Sequence, residues 1–294
     1  NQAGGFIGQG ALGLDGTDYA EVADDNTLDF TTAMTLEGWV KTTGTDTFQH
    51  IVCKSGGYYF LSLYNNGGGD VRAFFRIYDG ANIDAMGTTD INDGRWHHLA
   101  GTYDTSAGKL KLYVDGKLES SVDNSDAVNT SATKLFIGSN DASTNRLTGD
   151  LARVSLWNTA VTESEIREML FYDWAAVSGS SIDQTKCVGW YEFSDRHTQS
   201  DITDMSGSGN TGTLNSTDAW AVCGTFVDQT STLEFDNDGS LPNTYNLFMP
   251  RDGTQAEYWG ITVTSGSALA IDNLDGDRDV KMYGPLINSG ATFT

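Results

Sequence analysis

Hydrophobic and polar residues alternate through most of residues 11–160, the pattern of strands that bury one face. Met34, Leu36, Gly38 and Val40 share one side of the run 34–41. In 96–104, Trp96, His98, Ala100 and Thr102 point one way, and His97, Leu99, Gly101 and Tyr103 the other. Leu110, Leu112 and Val114 share a face before Asp115-Gly116 turns the chain back as a hairpin. Residues 12–22 read as strand, Asp-Gly turn, strand, and 134–139 and 149–157 supply two more strands. Two aromatic strands, 57–64 and 71–78, flank the turn Asn65-Asn66-Gly67-Gly68-Gly69. In the first, Tyr59, Leu61 and Leu63 alternate with Phe60, Ser62 and Tyr64. In the second, Ala73, Phe75 and Ile77 alternate with Arg72, Phe74, Arg76 and Tyr78. Helical spacing is expected in one place. Thr162-Glu163-Ser164-Glu165 forms a capping box that opens a short helix with Ile166, Met169 and Leu170 on one side.

These pieces resemble, in order and spacing, the laminin-G-like, concanavalin A-like jelly roll of the lectin/glucanase superfamily. The resemblance rests on 14–19 (Leu-Asp-Gly-Thr-Asp-Tyr), 39–41 (Trp-Val-Lys), 96–100 (Trp-His-His-Leu-Ala), 112–116 (Leu-Tyr-Val-Asp-Gly), 136–138 (Phe-Ile-Gly) and 149–154 (Gly-Asp-Leu-Ala-Arg-Val). It implies an all-β protein: an antiparallel jelly-roll β-sandwich with one short helix over residues 1–180. A second block, 188–193 followed by 204–214, looks like the family's leading segment, here placed after the sandwich. Segment 181–224 therefore either adds a strand to that sandwich or opens a second, degenerate module. Residues 225–294 read as a smaller β-rich region of no recognised family, with strands expected at 258–263 and 280–283. The chain starts at Asn1 and stops at Thr294, so the polypeptide is expected to extend further.

Composition narrows the function. Asp and Glu number 40 against 17 Lys and Arg, a formal charge of −23. That field repels a phosphate backbone and an anionic bilayer, which argues against nucleic-acid and membrane partners. No apolar run is long enough to span a membrane as a helix. Glycoside hydrolases of this fold's glucanase branch carry Glu-x-Asp-x-x-Glu on a strand, and that spacing is missing. Gly207-Ser208-Gly209-Asn210-Thr211-Gly212 matches a dinucleotide fingerprint by letter, but it neither leaves a parallel strand nor opens a helix. The chain is thus expected to be non-catalytic.

Three sets of side chains are candidates for chemistry. Asp15, Asp18 and Asp150 offer oxygen ligands at turns, and the family resemblance implies calcium at loop edges; the alternative is ordinary turn residues. The acidic runs at 236–239 and 272–279 read as solvated turns. Tyr64, Arg72, Phe74, Arg76 and Tyr78 form an outer face on which rings can stack against a sugar and arginines can bind hydroxyls. The competing reading packs those rings against another domain or subunit. Cys187 and Cys223 either form a disulfide worth roughly 3–4 kcal/mol or stay reduced, and Cys53 is a small buried apolar residue. His97 and His98 lie on opposite sides of one strand and cannot chelate one metal together.

Two functions follow from the resemblance. One is an adhesion or recognition module on a cell or virion surface, binding a glycan and stabilised by calcium. The other is a structural subunit decorating a larger assembly, such as a phage virion or an extracellular filament.

Overall fold

The computed structural model describes residues 10–193 and 200–216, together with the backbone of short strands between 220 and 288. The chain divides into two compact units, Gln9–Cys223 and a second made of Asn1–Gly8 with Gly224–Thr294.

The first unit begins with β1 (Gly10–Asp15), β2 (Ala20–Val22), β3 (Ala33–Lys41) and β4 (Phe48–Lys54). The aromatic strands are β5 (Tyr59–Asn65) and β6 (Val71–Tyr78), followed by β7 (Asn82–Asp90). Next come β8 (Trp96–Asp104), β9 (Lys109–Val114), β10 (Lys117–Asp123), β11 (Leu135–Ile137) and β12 (Thr148–Trp157). Helices α1 (Glu163–Met169) and α2 (Trp174–Val177) precede β13 (Cys187–Glu192), β14 (Asp201–Ile202), β15 (Gly212–Leu214) and β16 (Trp220–Val222). One antiparallel sheet runs β10-β9-β8-β3-β12-β1-β16, with β13 also on β12. The other runs β14-β15-β2-β11-β4-β5-β6-β7. This is the all-β jelly-roll sandwich that the resemblance implies, built from the strands that the alternation predicts.

Both sheets turn their apolar sets inward. Met34, Leu36, Val40, Leu99, Leu110 and Leu112 of the first sheet share one buried core with Leu61, Leu63, Phe75 and Ile77 of the second. Close approach of the layers explains Gly101: a methyl there would sit 2.4 Å from Phe75 Cγ. Asp115 and Gly116 both have positive φ, 50° and 73°, the turn that joins β9 to β10.

Four strands between Cys187 and Val222 join the two sheets of this sandwich. β13 and β16 extend one sheet while β14 and β15 extend the other. Asn210 ties these strands in by donating to the Val188 carbonyl at 2.7 Å and the Thr27 hydroxyl at 2.8 Å. The expected division at residue 180 is therefore replaced by one unit ending at Cys223.

The outer face of the first sheet is roofed. The α1 box forms as predicted, with Glu165 N–H donating to Thr162 and the Glu165 carboxylate accepting from Thr162 N–H. A second helix, α2, follows, capped by Asp173 through the Ala176 amide at 2.8 Å. Ile166, Met169 and Val177 pack with Ala100, Tyr113, Trp157 and Trp190. Beneath them, Arg153 donates to the carbonyl of Met169 at 2.8 Å and to that of Tyr172, fastening the end of α1. Glu37 accepts from Arg153 at 2.9 Å and from Ser155 at 2.7 Å, and meets His98 Nε2 at 2.5 Å. Burial pushes the Glu37 carboxyl up, but Arg153 and the hydrogen bonds of His98 and Ser155 outweigh it and hold it at about 2.

The bridge weighed for Cys187 and Cys223 is not formed at Cys187, which is a free, buried thiol. Its sulfur faces the tryptophan-lined roof cluster and contacts the Gly189 carbonyl at 3.4 Å. Cys223 lies outside the described residues. Cys53 is the buried apolar thiol expected, its pKa pushed up by burial.

The second unit contains β17 (Leu233–Phe235), β18 (Thr244–Tyr245), β19 (Tyr258–Trp259), β20 (Ile261–Val263), β21 (Ala268–Leu269), β22 (Met282–Tyr283) and β23 (Ile287–Asn288). All of these pair in parallel. Leu233 lies opposite Ile261, Thr244 opposite Ala268, Tyr258 opposite Met282 and Thr262 opposite Ile287. Partners are thus 24 to 28 positions apart. Offsets in this range fall within the repeat lengths of solenoid proteins. The acidic runs at 236–239 and 272–279 fall outside the described residues.

Candidate functional site

The second sheet presents the predicted rings on its outer face. In register across it, Phe48 stands opposite Tyr64, which stands opposite Arg72; Ser62, Phe74 and Met86 form the next row. A third row carries Cys53, Phe60, Arg76 and Asp84. The alternate residues Tyr59, Leu61, Leu63, Ala73, Phe75 and Ile77 are in the core, so the two-residue period places each set on its own side.

The rings contact one another. Phe48 lies 4.7 Å from Tyr64 and 5.9 Å from Phe74 between centroids, and Phe60 stacks on Phe74 at 5.9 Å. Arg76 lies over both Phe60 and Phe74, at 5.4 and 5.2 Å. Asp84 holds it there through two hydrogen bonds, at 2.5 and 2.7 Å. Phe74 is consequently only 3% exposed, so it supports the surface rather than forming it. Arg72 pairs with Asp70 at 3.0 Å, and Tyr78 meets Tyr58 edge-on at 6.2 Å. Phe48, Tyr64, Arg72, Arg76 and Tyr78 are half-buried and Met86 is exposed, which leaves them as the accessible surface.

Beside Phe48 the surface opens into a polar cleft of about 380 Å³ lined by Gly16, Asp46, Thr47, Phe48, Ser143, Asn145 and Arg146. Three loops build it: the β1–β2 turn, the approach to β4, and the β11–β12 connection. Asp141 shapes the last of these by accepting from the Ser143 and Thr144 amides at 2.7 and 2.8 Å. Asn145 takes positive φ, 53°, a conformation asparagine tolerates. Arg146 is pinned by the Gly16 and Ala142 carbonyls and rests on the Tyr19 ring at 5.5 Å.

His50 joins the two parts. It is 3% exposed, stacked 6.3 Å from Phe48 and edge-on 4.6 Å from Phe60. Its Nδ1 has no hydrogen-bond partner. Burial, then the nearby Arg76 charge, lowers its pKa to about 4 despite Asp141, so the ring is neutral near pH 7. Sequence reasoning missed Asp46, Phe48, His50, Asn145 and Arg146. Only the Phe48–His50 alternation carried a signal, because loop proximity has no periodicity.

The aspartates proposed for calcium are separately engaged. Asp15 accepts from the Thr17 hydroxyl and amide at 2.6 and 2.7 Å, which holds its carboxyl below the usual range. Asp150 pairs with Lys41 at 3.6 Å, and Asp18 is buried at 6% exposure. Among the described residues no three His, Cys, Asp or Glu side chains converge as a metal cluster. The histidine pair divides as expected: His98 meets Glu37, while His97 lies between Asp115 at 2.9 Å and Asp93 at 3.2 Å.

This architecture has relatives. A candidate carbohydrate-binding protein of Bacteroides ovatus ATCC 8483 superposes with a TM-score of 0.57 at 21% identity, over 72% of this chain and 59% of that one. This chain therefore spans less than two thirds of that protein. Weaker likenesses are to mouse laminin alpha1 domains LG4-5 (TM-score 0.41, 15% identity, 56% and 46% covered) and to domain 4 of AbnA, a Geobacillus stearothermophilus extracellular arabinanase of family GH43, in complex with arabinotriose (0.44, 21%, 54% and 76%). No curated protein matches the sequence. The family model of the concanavalin A-like lectin/glucanases superfamily matches residues 14–167, more than half of the chain, and the chain belongs to that superfamily.

Proposed function

We propose that this protein is a non-catalytic carbohydrate-binding module displayed at an outer surface, and that it binds glycans on the outer face of its second sheet. The observation carrying this reading is the continuity of partly exposed rings, Tyr64 and Phe48, with a polar cleft. Sugar rings need a flat apolar face for their C–H side and fixed polar groups for their hydroxyls. Phe48 and Tyr64 offer the first. Asp46, Asn145 and Arg146 offer the second, with Arg72 and Tyr78 further along. Among the described residues Asp46 is the only acidic one lining the cleft, whereas glycoside hydrolysis uses two carboxylates. The Bacteroides ovatus relative, itself a candidate carbohydrate-binding protein, agrees with this reading.

A glycan array probed with the full chain tests it, with Phe48→Ala and Tyr64→Ala beside the native protein. Retained hits that both substitutions weaken support the site. A folded native protein that captures nothing refutes it. The array is run with calcium and with chelator, and capture lost with chelator supports the calcium expected from the resemblance. A second reading, the structural subunit of a larger assembly, is favoured by the solenoid-like parallel pairing of β17–β23. It predicts oligomers of the full chain in light scattering, with no loss on Phe48→Ala.

A further inference from the structure

Arg146 stands apart from the other arginines of this molecule. Arg72, Arg76, Arg95, Arg153 and Arg167 each have a carboxylate within 4 Å, supplied by Asp70, Asp84, Asp93, Glu37 and Glu163. Arg146 is the one described arginine without such a partner, in a chain whose 40 acidic residues outnumber its basic ones more than twofold. It lines the cleft. Its guanidinium is held by the Gly16 and Ala142 carbonyls and the Tyr19 ring, so its orientation is set before any ligand arrives. Backbone carbonyls satisfy donors but bring no carboxylate within 4 Å of the charge, and Nε–H is buried with no hydrogen-bond partner, as is that of Arg72.

We infer that the cleft takes a sugar bearing a single carboxylate, such as a uronic acid residue, with Arg146 as the carboxylate's partner. The inference rests on the glycan-binding reading above and names the sugar class for that site. A planar guanidinium matches a carboxylate better than it matches any hydroxyl pair. Asp46, which makes no hydrogen bond among the described residues, accepts ring hydroxyls and repels the carboxylate from its own side, fixing the sugar's direction. The formal charge of −23 disfavours a polyanion, so the carboxylate belongs to one residue of an otherwise neutral chain. Phe48, shared by the cleft and the ring cluster, is then the stacking platform for that residue.

The test is direct binding of glucuronides, galacturonides and mannuronides to the full chain, each beside its neutral C6-alcohol parent. Native protein, Arg146→Gln and Arg146→Lys are compared in about 50 mM and 500 mM salt. The expected result is a preference of about tenfold or more for an acidic sugar over its parent, weakened by salt. Arg146→Gln should abolish that preference by weakening the acidic sugar about tenfold more than its neutral parent, and Arg146→Lys should keep part of it. Should Arg146→Gln fail to fold, the native preference with its salt dependence and the Arg146→Lys reduction still decide. Equal binding of acid and neutral members, or a preference that survives Arg146→Gln, overturns the inference and leaves the glycan reading intact. Failure of all these sugars to bind folded native protein overturns the inference, and the glycan array then decides the reading on which it rests.

Discussion

Replacing His50 should remove a large acid-sensitive component of stability. The neutral imidazole is packed between Phe48 and Phe60 at 3% exposure; burial and the Arg76 charge lower its pKa, and the Asp141 charge opposes them. Folding lowers its pKa from 6.5 to about 4. The folded state therefore binds fewer protons than the unfolded chain between those values, and stability must fall as pH falls. The full contribution is present above pH 6.5; it declines below that and is exhausted once pH passes about 4. At 1.36 kcal/mol per pKa unit, the loss amounts to about 3 kcal/mol. Urea unfolding of native protein and His50→Leu, at half-unit steps from pH 7 to 4, reads this out. Groups common to both proteins cancel in the difference, and the native advantage should shrink by about 3 kcal/mol across the range. A difference that stays constant with pH would refute the reasoning.

Four further substitutions address the scaffold. Arg153→Met leaves Glu37 buried without its guanidinium and unfastens α1, and should cost about 3–5 kcal/mol in chemical denaturation, while Glu37→Leu/Arg153→Met should cost less than the single change. Burial lowers the His97 pKa, but the hydrogen bonds and charges of Asp115 and Asp93 outweigh it and raise it overall. His97's contribution is then complete below the unfolded pKa near 6.5 and is lost as pH rises through the higher folded value, a loss that His97→Asn should abolish and that NMR titration of the ring locates. Gly101→Ala drives a methyl against Phe75 and should destabilise by about 1–3 kcal/mol, whereas an unchanged melting temperature would show that the layers have slack.

The sandwich was legible because a two-residue period is a local signal. Met34, Leu36 and Val40 reached the core together, and Phe60, Ser62, Tyr64, Arg72, Phe74 and Arg76 reached the outer face together. The capping box at Thr162 was equally local. Partner choice was not. Nothing in the alternation shows that Asp84 locks Arg76 onto Phe60 and Phe74, or that Asp150 is engaged by Lys41. The cleft was hidden for the same reason, since Gly16, Asp46 and Arg146 come from loops far apart in sequence. α2 escaped notice because its four residues are too few for a helical period. The parallel ladders of the second unit depend on offsets near 25 positions between two- and three-residue strands, below what sequence period can show.

The most direct test of the account is calorimetric titration of the full chain with the strongest glycan from the array, repeated with Phe48→Ala. Native protein should bind saturably at one site per chain, and removing the Phe48 ring should lower affinity by about tenfold or more, with the melting profile otherwise retained. Undiminished affinity in Phe48→Ala would place the glycan elsewhere on the molecule and contradict the assignment of the second sheet's outer face as the binding surface.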